Sequence, residues 1–141
     1  MSGPALKQKD SHRAIHDAAH GEADELTGTV VEFMAGGKME AAKAAARLLV
    51  EHWRTRTLRH AEEEEAGLYQ EIVLQDPDRI RDIAGLTRDH ALMRTLVDEA
   101  EEKLNQGDEG SFAEALERFR MLLWLVVAHS REEERTLLAN S

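Results

Sequence analysis

The chain has 141 residues, of which 42% are apolar and 33% charged, with a formal net charge of −10 and no cysteine. That length supports one domain with its own core, and the negative charge disfavours nucleic acid and anionic membrane as partners. The absent thiols exclude disulfides, iron–sulfur clusters, thiolate zinc sites and thiol catalysis.

The first predicted helix spans about 10–35, with Ile15, Ala19, Leu26, Val30 and Phe33 on one face. GGKM at 36–39 ends it. The second spans about 39–75 and carries Leu49, Trp53, His60, Glu64 and Leu68 at spacings that return to one side. QDPD at 75–78 stops it, with Asp76 as an N-cap and Pro77 at the next first position. The third spans about 78–104, with Ile83, Leu86, His90, Val97 and Leu104. NQGDEGS at 105–111 is the last turn, and Ser111 with Glu114 reads as a capping box. The fourth spans about 111–139, with Phe112, Leu116, Phe119, Leu123, Val126, His129, Glu133 and Leu137. Short turns between long helices make neighbours antiparallel, so residues 1–141 are expected to form one all-α, up-down-up-down four-helix bundle. MLLWLVVA at 121–128 is the most apolar run and is too short for a membrane span. The opening MSGPALKQKD has no apolar leader. Both point to a cytoplasmic protein, as does the lack of cysteine.

Chemistry enters with RHAEEEE at 59–65, where His60 stands four residues before Glu64. The fourth helix repeats that spacing in His129 and Glu133. Residues four apart share a helix face, and both pairs fall on the inward stripes. A buried carboxylate is costly without a counter-charge, and a bound cation supplies one. Levels in the bundle agree. His60 and His90 reflect onto each other through the QDPD turn, and His90 and His129 through NQGDEGS. Reflection through GGKM calls for a fourth histidine near position 15. His16 has the best height and phase, with His12 and His20 one turn to either side. The constellation is His16, His60, Glu64, His90, His129 and Glu133. Six ligands are too many for one tetrahedral zinc and suit two iron ions with bridging carboxylates. The remaining acidic residues of these runs, Glu62, Glu63, Glu65, Glu132 and Glu134, read as solvated helix face. Trp53 reads as core, and nothing marks Tyr69 for redox chemistry.

The motifs IHDAAH at 15–20, HAEEE at 60–64, DHALM at 89–93 and HSREEE at 129–134 resemble those of the hemerythrin-like (HHE cation-binding) family over nearly the whole chain. Ferritin-like carboxylate proteins need a glutamate three residues before a histidine on two helices, a pattern absent here. The resemblance implies two iron ions (Fe2+/Fe3+) with a bridging oxo or hydroxo group and an open coordination position. Oxygen-carrying hemerythrins have a further histidine one turn after the third-helix ligand. Here that position is Arg94, which either stands behind the ligands or turns outward. The site therefore resembles the six-ligand members, such as bacterial iron-centre repair proteins and the iron-sensing domain of an F-box protein.

The expected function is binding of, or reaction with, O2, peroxide or nitric oxide, in sensing, carriage or detoxification. An enzymatic peroxide- or nitric-oxide-handling activity is left open, with no catalytic residue beyond the metal centre. The alternatives are an iron store or donor, and a helical interaction module without a redox role. Met121, Trp124 and Ala128 point away from the bundle stripe, so a homodimer through the fourth helix is expected.

Overall fold

The computed structural model describes residues 4–138, with side chains described for 11–137. Helix α1 (Pro4–Ala35) is followed by α2 (Met39–His52), a π-helical turn (Trp53–Thr57), α3 (Leu58–Ala66) and α4 (Leu68–Gln75). A single 3-10 turn (Pro77–Arg79) leads into α5 (Ile80–Gln106), and α6 (Glu109–Glu133) runs into a second π-helical turn (Glu134–Leu138). The segments from α2 to α4 form one rod, so the four rods are those expected from periodicity. Among the described residues there is no strand. The α1 rod lies against α2 and α6, and α5 lies against α6 and α2, which closes the antiparallel bundle.

The turns follow from local chemistry. Gly37 at φ +72° takes the left-handed conformation that ends α1, while Lys38 N–H donates to Phe33 O at 2.8 Å and Gly37 N–H to Met34 O at 3.0 Å. Gly107 at φ +83° does the same after α5. Asp76 caps the 3-10 turn by accepting from Asp78 N–H at 3.2 Å. The capping box at Ser111 is corrected: α6 starts two residues earlier, and Asp108 accepts from Ser111 N–H at 2.9 Å. With Asp108 as the cap, the Ser111 hydroxyl is a donor instead, to Gln106 Oε1 and Asp108 Oδ1 at 2.6 Å each.

The core contains Val30, Leu49, Trp53, Met93, Val97, Phe119 and Leu122, and fills the half of the bundle away from the QDPD turn. Two registers differ from expectation. On α1, Ile15 is 44% exposed, and the buried line runs through His12, Ala19, Ala23 and Val30. On the second rod, the π turn inserts an extra residue, with Leu58 N–H donating back to Trp53 O. The face that follows is rotated, so Leu58 and Ala61 enter the interior and His60 sits at its edge. The rod then breaks at Gly67 (φ −119°, ψ −86°), and Tyr69 is buried in place of the expected Leu68.

Candidate metal centre

Beyond the apolar core the interior turns polar. Glu64, His90, His129 and Glu133 are buried with ligand atoms all within 4.8 Å of one another, and His12, His60 and Glu64 form a second such group. Helix α1 contributes His12 and His16, α3 contributes His60 and Glu64, α5 contributes His90, and α6 contributes His129 and Glu133.

The two carboxylates each face both ways. Glu64 Oε1 lies 3.4 Å from His90 Nε2, while its Oε2 lies 3.3 Å from His12 Nε2 and 3.5 Å from His60 Nε2. Glu133 Oε2 lies 3.5 Å from His129 Nε2, and its Oε1 lies 3.5 Å from His16 Nε2. His90 Nε2 and His129 Nε2 are 3.1 Å apart. Nitrogens at this distance share either a proton or a cation. One side of the site thus presents His90 and His129, the other His12, His16 and His60, with a carboxylate oxygen from each glutamate toward each side.

Two further carboxylates stand behind the imidazoles. Glu65 Oε2 accepts from His90 Nδ1 at 2.9 Å, and Asp89 Oδ2 accepts from His129 Nδ1 at 2.9 Å. Holding the proton on Nδ1 leaves the Nε2 lone pair facing inward, which is the tautomer a metal needs. Arg94 donates to the same Glu65 oxygen at 2.7 Å. The Tyr69 hydroxyl donates to Glu133 Oε2 in a short hydrogen bond.

The electrostatics are those of a site built for positive charge. Burial pushes the Glu64 carboxyl up, but the imidazoles of His12, His60 and His90, 3.3–3.5 Å away, outweigh it and hold the group well below the usual carboxylate range. Burial opposes charge on His129 too, yet Glu133 and Asp89 raise its pKa. His16 behaves oppositely, because burial prevails over the attraction of Glu133 and Glu64 and lowers its pKa. Burial and the neighbouring Glu133 and Glu64 charges push the Tyr69 phenol up.

Whether these residues suit a metal is decided by what they lack. His60 Nε2, Glu64 Oε2 and Glu133 Oε1 are buried without a hydrogen bond. Glu133 is 0% exposed, and no lysine or arginine reaches it or Glu64 among the described contacts. Unsatisfied buried carboxylates are costly, and a cation between them satisfies every atom at once. The donors are nitrogen and oxygen only, which suits iron, manganese or zinc, and they exceed what one tetrahedral ion takes.

Every ligand expected from the sequence faces this site: His16, His60, Glu64, His90, His129 and Glu133. His12 joins them beside His16, whereas His20 lines a surface groove with Asp17 and Glu134. Arg94 stands behind His90 through Glu65. The reading of Glu65 as solvated face is corrected, because the π turn rotates α3 and brings Glu65 toward α5. Tyr69 and the role of Asp89 were missed. Asp89 directly precedes His90, a placement that puts it on the α6 side of α5. Tyr69 had no signal in sequence, since its burial depends on the break at Gly67.

A four-helix bundle whose rods all send histidine or glutamate into one buried layer defines a histidine–carboxylate bundle with a candidate metal site. The model of the Hemerythrin HHE cation binding domain family matches residues 9–140. The chain belongs to that family. No curated protein and no solved structure matches it significantly.

Proposed function

We propose that the chain is a non-haem two-iron protein that binds or reacts with O2, peroxide or nitric oxide. The observation that carries this reading is the paired arrangement of Glu64 and Glu133, each turning one oxygen to each of two imidazole clusters. Bound iron supplies the redox equivalents and an electrophilic position for such a ligand. The chain's own groups do the rest. Glu64 and Glu133 hold the two positions together, and Glu65 and Asp89 orient two of the imidazoles.

A cavity of about 40 Å3 adjoins the site, walled by Ile15, Ala19, Met93 and Val126 and bordered by His16, His60 and His129. That volume holds about two or three water-sized atoms, enough for a diatomic or peroxide and too small for an organic substrate. Its apolar wall limits water and favours a weakly hydrated ligand. Arg56 and Thr57 line its mouth, and Arg56 is held by Glu22 at 3.0 Å.

The expected result is about two irons per chain in protein from iron-fed cells, with near-ultraviolet charge-transfer bands that bleach on anaerobic reduction and return in air. Iron that leaves to a chelator without such bands would favour a store or donor. Zinc or little metal would leave a helical interaction module.

Among the described residues, no helix is long and apolar enough to cross a membrane. The reading includes the cytoplasmic setting expected of a cysteine-free chain. It also includes a second copy of the chain on the outer face of α6. Trp124 is 73% exposed and Met121 52%, and they share a groove with Leu92 and Leu96 of α5. Glu117, Trp124 and Arg131 recur at seven-residue spacing on α6. An antiparallel α6 pair centred on Trp124 therefore sets Glu117 opposite Arg131 of the partner subunit. Light scattering at high concentration should give twice the 15.9 kDa chain mass, and Trp124→Glu should return it to the monomer value. A monomer in the unsubstituted protein would dismiss the dimer.

A further inference from the structure

The two sides of the site are unequal in imidazoles. His12, His16 and His60 serve one side, and only His90 and His129 serve the other. Helix α5 offers that second side nothing more, because Arg94, one turn beyond His90, turns out to Glu65. What fills the space is Tyr69. It is 2% exposed, and its ring stacks on His90 with centroids 5.5 Å apart and planes at 7°. Its hydroxyl lies 3.5 Å from His90 Nε2 and donates to Glu133 Oε2, the oxygen that also faces His129.

Bonds of about 2.0–2.2 Å to one ion put neighbouring donors about 2.8–3.6 Å apart, from octahedral to tetrahedral angles. The 3.1 Å between His90 and His129, the 3.4 Å from His90 to Glu64 and the 3.5 Å from Tyr69 to His90 fall within that range. The Tyr69 hydroxyl proton lies between Tyr69 and Glu133. A cation in the centre of this group would take the proton's place, since bound cations invert the ionisation preference of neighbouring groups.

We propose that Tyr69 is the third terminal ligand on the His90–His129 side, binding as phenolate with release of its proton to solvent. Each side then has three terminal donors and one oxygen from each glutamate. The inference rests on the two-iron reading, and its test separates the two. Tyr69 is the chain's one tyrosine, so every tyrosinate signal reports on it.

Ferric-loaded protein should show, besides the near-ultraviolet bands, a visible phenolate-to-iron charge-transfer band with tyrosinate ring modes in its resonance Raman spectrum. Tyr69→Phe fills the same volume and should bind iron more weakly and lose the visible band, while the near-ultraviolet bands persist in whatever iron it retains. Two irons without a visible band, or a band that survives Tyr69→Phe, would overturn the assignment and leave the two-iron reading standing. Gallium(III), which has no redox chemistry, gives an independent measurement that needs neither iron nor the variant. Its binding should produce the ultraviolet difference spectrum of tyrosine ionisation. Gallium bound without that difference spectrum rejects Tyr69 as ligand, and failure of both metals to bind rejects the inference together with the reading it rests on.

Discussion

Glu64→Ala should empty both metal positions, with apparent affinity falling by more than about 100-fold, the upper end of what loss of a supporting group alone produces. Glu64 is the residue most shared in the site: one oxygen faces His90, and the other faces His12 and His60. Removing it takes a donor from each position and half of the negative charge that faces both. Loss of the near-ultraviolet iron bands and metal analysis after desalting would read the effect. Glu64→Gln separates charge from volume, because it keeps the shape and loses the carboxylate. It should also fail to hold metal, while circular dichroism reports an intact bundle. A variant that retained full iron content and an unchanged spectrum would sink the assignment of the site to these residues.

Stripping the metal should lower the melting temperature by about 8–16 °C. A ligand present at about 1,000 times its dissociation constant stabilises the native state by about 4 kcal/mol, and a domain of this size shifts by about 2–4 °C per kcal/mol. The metal-free chain should also show a pH dependence that the loaded chain lacks. Glu64, whose pKa is depressed, contributes stability above the ordinary carboxylate range that is lost as pH falls through its folded value. His16 is depressed below its ordinary 6.5. The native state then holds fewer protons than the unfolded chain, and stability rises with pH up to about 6.5. His129 is raised above 6.5, so its contribution is fully present below that value and is lost as pH rises through the folded pKa. The two histidines oppose each other, and the metal-free protein should be most stable near pH 6.5. Metal must displace the His129 proton, so affinity should climb with pH through the raised His129 value. Thermal melts and metal titrations across pH 5–8 would measure both, and a flat melting profile in the stripped protein would contradict the assignment of these charges.

Four rods, their order and their antiparallel sense were readable from spacing and turns alone. Periodic apolar residues report a buried face wherever the helix is regular, and Gly37, Asp76 and Gly107 act locally. The histidine layer was readable for the same reason. Pairs four apart on straight helices, reflected through short turns, must meet at one height. That argument chose His16 on the first helix over His12 and His20 one turn away, and the structure brings both His16 and His12 to the site.

What only the tertiary structure decided lies where the helix is irregular. The π turn at Trp53–Thr57 rotates everything after it, and that rotation carries Glu65 from an expected solvent face to His90. The break at Gly67 chooses Tyr69 over Leu68 for the interior. Neither follows from a pattern of period 3.6, because one added residue shifts the face by about 100°. By itself the sequence determined the bundle, the layer of imidazoles and the two carboxylates, all properties of regular helices. Which groups stand behind those ligands, and which phenol faces them, depended on packing between rods, where an irregular turn is held in place by contacts that no local stretch encodes.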